Sequence, residues 1–314
     1  MAEIATPGQL EEIEPVLAPD YDVQLESLSQ WQLAWRRFKR HRMAVIGSVL
    51  FFGMVAIGII GPIVVPYDYY KIPVPDQIVY AGRPPSLVPF RPFGETAHLQ
   101  LDVFTLVVNG IRWSLLIGVI ATFISAVLGT LVGGIAGFYG GSIDTVLMRA
   151  VDALLALPLL FVILVFTRFL GAGSWVSVTV IFGLFGWLGI SRLVRSLMLT
   201  LREEDYVDAA RAAGVSTPRI IFRHLLPNSL SPIIVASTLS VAAVIIGEAF
   251  VSYLGYGVGA ATPTLGNILA GSLESVSLNW WWAFFPGCAI VIIVLGINFM
   301  GDGLQDALDP RAKI

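Results

Sequence analysis

Six runs of apolar residues, each close to the length a helix needs to cross a bilayer, govern what this chain can become. A bilayer's hydrocarbon core is about 30 Å thick, and a helix rising about 1.5 Å per residue needs roughly 20 residues to span it. The runs fall at 43–65, 109–139, 148–170, 175–199, 230–254 and 281–300. Only 13% of the 314 residues are charged and 56% are hydrophobic. A water-soluble domain draws about a quarter of its residues from Asp, Glu, Lys and Arg, so half that share implies a surface that mostly faces lipid. The 31 glycines suit helices that pack closely inside a membrane. The expected fold is all-α, a polytopic membrane protein with six transmembrane helices.

Basic residues orient the spans, because Lys and Arg favour the cytoplasmic ends of short loops. With an inward N-terminus, the inner side collects Arg36, Arg37, Lys39, Arg40, Arg42, Arg149, Arg192, Arg195, Arg202, Arg211, Arg219, Arg223, Arg311 and Lys313. The outer side receives Lys71, Arg83, Arg91, Arg112 and Arg168. Both termini are therefore expected in the cytoplasm. Residues 1–30 hold seven acidic side chains and no basic one, which suits an acidic cytoplasmic tail and not a cleavable signal peptide. Residues 31–42 form a basic segment at the inner headgroups, where membrane lipid is the partner. The membrane body is 43–300, with an outer loop at 66–101 and an inner loop at 200–229, and 301–314 form a C-terminal tail.

The outer loop carries seven prolines, which favour an irregular, stiff excursion. The lone cysteine, Cys288, excludes an intrachain disulfide and a cysteine-rich metal site. The net charge of −3 gives no reason to expect nucleic acid. Trp280, Trp281 and Trp282 fit an outer aromatic belt.

The inner loop reads LREEDYVDAARAAGVSTPRIIFRHLLPNSL. Residues 203–213 favour a helix, and Ala209, Ala210, Ala212 and Ala213 let another surface approach closely. Gly214 ends that helix by adopting a left-handed backbone. Ser216 or Thr217 starts a second helix with Pro218 in its first turn. Ile220, Ile221, Leu225 and Leu226 form its apolar face, and Pro227 closes it before the fifth span. Two readings stay open on physics alone: a docking element, or an interfacial hairpin that only anchors the bundle.

The loop resembles the signature of membrane subunits of binding-protein-dependent ABC importers: a small-residue helix, a glycine, nine residues, then His and Pro. Here it stands as Asp208-Ala209-Ala210, Gly214, His224 and Pro227, with Asp208 where the family usually has Glu. Further matches are GFYGGSIDTVLMRAVDALLALP (137–158), WLGISRLVRSLMLTLREEDYVDAARAAG (187–214), HLLPNSLSPIIV (224–235), GEAFVSYLGYGVGAATPTLGNIL (247–269) and GDGLQDALDPR (301–311). Within the family the sequence is most similar to the second permease subunit of the dipeptide, oligopeptide and nickel class. One segment departs: RPFGETAHLQLDVF (91–104) keeps Pro92, Phe93, Gly94 and Asp102 but lacks the family's Gly-Arg pair.

The resemblance implies the type I ABC importer permease fold in a prokaryotic cell membrane, and a chain with no ATPase activity and no cofactor of its own. ATP and Mg2+ would sit on two cytoplasmic ABC ATPase subunits. The other implied partners are a homologous six-span permease and an extracytoplasmic solute-binding protein, with peptides or similar small solutes as cargo. Asp205, Asp208, Ala209, Ala210, Ala213 and Gly214 would make the ATPase contact. Arg211, Arg219, Arg223, His224 and Pro227 would stabilise the loop. Glu248, Ser252, Tyr253 and Tyr256 are candidates for the translocation path, since polar groups at membrane depth are costly. A competing assignment has Glu248 bonding only a neighbouring helix.

Asp144, Arg149 and Asp152 are expected to fix packing near the inner interface. Gly301, Asp302 and Asp306 are expected to terminate the sixth span. The main rival function is a stand-alone secondary transporter or channel using Glu248, although no inverted repeat accompanies it. A membrane enzyme lacks an HExxH pattern, and only three histidines exist to build a site. A third rival is an inert assembly scaffold, against which dependence of uptake on the loop would discriminate.

Overall fold

The computed structural model describes residues 30–66, 82–87, 90–97, 99–170 and 173–308. Nearly all of the expected acidic tail, much of the outer loop and residues 309–314 lie outside the described residues. The described chain is helical: α1 (Gln30–Arg40), α2 (Arg42–Val64), α3 (Val103–Tyr139), α4 (Gly141–Leu155), α5 (Leu159–Leu170), α6 (Trp175–Leu201), α7 (Asp205–Ala212), α8 (Thr217–Ile220), α9 (Leu226–Tyr253), α10 (Leu265–Gly271) and α11 (Trp280–Leu308). Among the described residues, five helical stretches are long and apolar enough to cross a membrane: α2, α3, α6, the run from α8 through α9, and α11.

The expected third span is not one helix. It is divided into α4 and α5 at 156–158. Pro158 lacks the amide hydrogen an unbroken helix needs, and its ring would clash with the preceding turn. At about 1.5 Å per residue, neither piece alone covers a core about 30 Å thick. Together they return the chain from the end of α3 to the start of α6, so the described chain runs the length of the bundle six times. The fifth run also differs from expectation. Pro227 does not close the second loop helix; it sits in the first turn of α9. α8 continues through a π-helical turn, Ile221–Leu225, directly into α9. The wider turn absorbs the hydrogen bond that Pro227 cannot donate.

The sixth run overshoots its expected end. Gly301, Asp302 and Asp306 do not terminate it, and the helix continues to Leu308, so part of the expected tail belongs to α11. Packing explains the extension. Gly303 lies so close to α2 that a Cβ there would overlap Ala44, and Ala307 is buried. His41 joins the same ends: its Nδ1 accepts the Ala44 amide at 3.1 Å, and its Nε2 lies 3.5 Å from Asp306.

α3 and α6 form the central pair. Gly129, Gly133 and Gly137 recur every fourth residue along one stripe of α3, and a Cβ at Gly129 or Gly137 would come within 2.7 Å of α6. Glycine therefore sets the spacing of the two helices. Polar groups such as Asn109, Ser114, Thr122, Ser125 and Glu248 are buried, while Phe123, Phe161, Phe169 and Ile63 face outward. That inverted distribution suits a lipid surround.

Residues 82–87, 90–97 and 99–102 pack across the end of the bundle opposite α7. The three tryptophans do not act alike as a belt. Trp281 and Trp282 are buried, and only Trp280 is largely exposed. Trp281 Nε1 donates to the Glu95 carbonyl at 2.9 Å, and the Gly82 amide donates to Asn279 at 2.8 Å. The Glu95 carboxylate is buried against Arg91 and lies 3.6 Å from Arg83. Asp102 caps α3 by accepting from the Thr105 amide at 2.9 Å, and Phe93 stacks on Phe285 at 3.9 Å. The described residues of the divergent segment 91–104 are thus tied to α3 and α11.

Candidate functional site

The inner loop is built around α7. Asp205 and Asp208 lie in its first turn and Arg211 in its last, each with the sign the helix dipole favours. Gly214 has φ +75°. Its amide donates to the Arg211 carbonyl at 2.9 Å, while the Val215 amide donates to Ala210 at 3.1 Å. This pair of bonds is the glycine-terminated helix end expected from the sequence. Nothing lies within 4 Å of a Cβ built at Gly214, so backbone conformation and not crowding requires glycine here.

One face of α7 is anchored and the other is open. Val207 is fully buried among Ile190, Val194 and Met198 of α6, Ile220 of α8, Leu225 of the π-turn and Ile233 of α9. Asp205, Tyr206, Asp208, Ala209, Ala212, Ala213 and Gly214 are exposed, and Ala210 is half-buried. Asp208 accepts from Arg211 at 3.0 Å, and the Arg211 guanidinium lies over the Phe138 ring at 5.8 Å.

Arg202 holds the start of the loop. Its Nη1 donates to the carbonyls of Gly137 and Phe138 at 3.2 and 3.4 Å, satisfying the C-terminal end of α3. Asn228 donates to the Tyr206 hydroxyl at 3.3 Å, which ties α7 to α9. Beside the loop, Arg195 of α6 grips Asp144 of α4 through both oxygens, and Arg192 reaches Asp152 at 2.5 Å. The Arg195 hydrogen bonds hold the Asp144 carboxyl below its ordinary range, against the opposing effect of partial burial.

Arg211 is brought into the loop's own contacts. Arg219 and Arg223 are exposed and make no ion pair among the described residues; His224 is half-buried in the π-turn. Sequence reasoning passed over Val207, Arg202, Tyr206 and Asn228. Val207 had a signal: it is the one large aliphatic side chain in 205–213.

The second set of candidates lies at the far end of α9. Glu248 is completely buried. Ser252 donates to its Oε1 at 2.7 Å, and Ser114 of α3 donates to its Oε2 at 3.4 Å. Tyr253 and Tyr256 are exposed at the surface of the same end, with Gly255 between them at φ +83°. The structure brings Ser252 to Glu248 but places both tyrosines outside that contact.

Residues 129–314, which include α7, the π-turn and Glu248, match the family of binding-protein-dependent transport system inner membrane components. The chain belongs to this family. Residues 29–85 match the N-terminal transmembrane domain of oligopeptide transport permease C. The dipeptide transport system permease protein DppC of Bacillus subtilis (strain 168) is 37% identical over 292 residues, covering 93% of this chain and 89% of that protein. The oligopeptide transport system permease protein OppC of the same organism is 34% identical over 291 residues, covering 93% of each chain. Among solved structures, a chain of the MetNI methionine ABC transporter superposes with a TM-score of 0.53 at 21% identity, covering 65% of this chain and 96% of that one. The fold is that of an ABC importer permease, and the chain is an integral membrane protein.

Proposed function

We propose that this chain is one of two homologous permease subunits enclosing the translocation path of an ATP-driven importer, and that α7 is the element on which separate cytoplasmic ATPases act. The exposed small-residue face of α7, backed by the buried Val207, carries this reading. A groove on an ATPase can close over Ala209, Ala212 and Ala213, with Asp205 and Asp208 offered to its donors. Any displacement of α7 is passed to α6 and α9, because Val207 sits in a cluster contributed by both. ATP and Mg2+ belong to the ATPase pair, whose closure supplies the displacement; this chain contributes no catalytic group. The names of the relatives support dipeptides or oligopeptides as cargo, delivered by an external solute-binding protein at the end opposite α7. The basic-residue asymmetry supports both termini lying in the cytoplasm.

The test is affinity purification of the chain from native membranes in mild detergent, with mass spectrometry of its partners. The expected result is recovery of a second, homologous permease and one or two ATPases. A chain that purifies alone and transports after reconstitution without ATP overturns the proposal.

A further inference from the structure

A buried carboxylate among hydroxyls, with no role in the coupling loop, stands at the opposite end of the bundle. Glu248 has no exposed surface, and both its oxygens meet hydroxyls, Ser252 at 2.7 Å and Ser114 at 3.4 Å. Each hydroxyl has a single proton, which it donates to Glu248, leaving its lone pairs to accept. Each then accepts a backbone amide, one from the connection after α9 and one from the first residue of α10. The Val258 amide donates to Ser252 Oγ at 3.1 Å, and the Leu265 amide to Ser114 Oγ at 3.1 Å. Glu248 thus orients two acceptors that grip the two ends of one stretch, 258–265.

That stretch lies tightly across the end of the bundle. It leaves α9 through Gly255 and enters α10 through a capping box between Thr264 and Asn267. The Asn267 amide nitrogen reaches the carbonyls of Val258, Gly259 and Thr262 at 3.1, 3.2 and 2.9 Å. The Gly259 amide donates to Gly173 at 2.9 Å, between α5 and α6. A Cβ at Gly266 would come within 2.5 Å of the Ala249 Cα, so α10 lies directly on the last turns of α9. A carboxylate without a cation is an expensive way to hold two helices together. Here neither oxygen is used for that alone; both serve the segment that crosses this end of the bundle. Without the carboxylate, the serine protons are free to turn to carbonyls of their own helices.

We propose that Glu248 is a positioning residue for solute entry: it fixes segment 254–271 across the mouth opposite α7, and with it the presentation of Tyr253 and Tyr256, without touching the solute. The proposal rests on the importer reading above. Its effect should be confined to the step at that mouth, because the cluster around Val207 shares no residue with the network.

The experiment uses the complete importer in proteoliposomes with its co-isolated solute-binding protein. It compares the wild type with Glu248→Gln, Glu248→Leu and the pair Ser114→Ala, Ser252→Ala. Three quantities are read: ATP hydrolysis without the binding protein, the increment when it is added, and amide exchange in peptides covering 254–267 and 203–215. Loss of the network should speed exchange in 254–267 roughly tenfold, the scale of one lost hydrogen bond. Exchange in 203–215 and unstimulated hydrolysis should stay at wild-type levels while the stimulated increment falls. Unaltered exchange in 254–267 overturns the proposal. So does an equal fall of stimulated and unstimulated hydrolysis, which marks a merely structural role. If Glu248→Leu fails to assemble, the serine pair decides, since it leaves the carboxylate in place. A wild-type chain that neither binds ATPases nor responds to a binding protein would instead refute the importer reading.

Discussion

Arg202 reaches back from the first residue after α6 to the carbonyl of Gly137, 3.2 Å from its Nη1, and so closes the end of α3 with a side chain from the inner loop. The loop is therefore fixed to the central α3–α6 pair before α7 begins. Arg202→Ala leaves two helix-end carbonyls without this donor, and should cost about 1 kcal/mol, modest because the side chain is partly exposed. The check is thermal unfolding of the purified complex, where Arg202→Lys should recover only part of the loss because one ammonium does not reproduce the fork.

Val207 is the hinge pin of the proposed coupling element. Val207→Ala removes two methyl groups from a fully buried site and should destabilise the loop by about 2 kcal/mol, counting transfer and cavity together. Val207→Asp should expel α7 from its seat and abolish co-purification of the ATPases. Retention of the ATPases by a well-expressed Val207→Asp chain would show that α7 does not need this anchor to dock.

Gly214 separates strain from contact. Its site is sterically open but its φ is +75°, so Gly214→Ala should cost about 1 kcal/mol through the backbone alone, and Gly214→Asn less. Gly214→Trp adds bulk on the face proposed to meet the ATPase, and is expected to leave ATP hydrolysis running while uptake falls. Normal uptake by a properly expressed Gly214→Trp importer would sink the coupling assignment.

The Asp144–Arg195 pair predicts a pH dependence with a defined sign. Hydrogen bonds from Arg195 lower the Asp144 carboxyl below its unfolded value of about 3.9. The resulting stability is fully present above the unfolded value and is lost as pH falls through the lower, folded one. Between pH 5 and 8 the pair should therefore contribute a constant amount, as estimated from ordinary carboxylate titration. Asp144→Asn should be less stable than wild type at neutral pH, and the difference should shrink in strong acid. Unfolding midpoints of the two proteins across that range provide the measurement.

How much could be read from the sequence depended on whether the deciding interaction was local. Hydropathy located the membrane runs, and Gly214 ended α7 as its residue type requires. Pro158 was equally local, yet the apolar residues on both sides concealed the break. The end of α11 was illegible for a different reason: Asp302 and Asp306 look like a tail, and distant contacts such as that of Gly303 with Ala44 keep the helix going. Trp281 reads as a belt residue until Glu95, far away in sequence, accepts its indole proton. The sequence marked Glu248 as unusual, but its meaning depends on Ser114, 134 positions earlier.

Gln100 offers a prediction of the opposite sign, a substitution that stabilises. It is the one non-glycine with positive φ among the described residues, at 51°, in the segment that leads into the Asp102 cap of α3. A left-handed conformation costs a side-chain-bearing residue about 1–2 kcal/mol. Glycine removes that strain but gives back about 0.5–1 kcal/mol through the freedom it adds to the unfolded chain. Gln100→Gly should therefore gain a fraction of a kcal/mol, and Gln100→Val, with a branched Cβ, should lose more than that. The neighbouring bond from the Leu101 amide to Thr96 Oγ1, 2.9 Å long, reports on the same turn. Thermal midpoints ordered Gly above Gln above Val would establish that the backbone at position 100 is strained, whereas equal midpoints for Gly and Gln would mean the turn relaxes around its side chain.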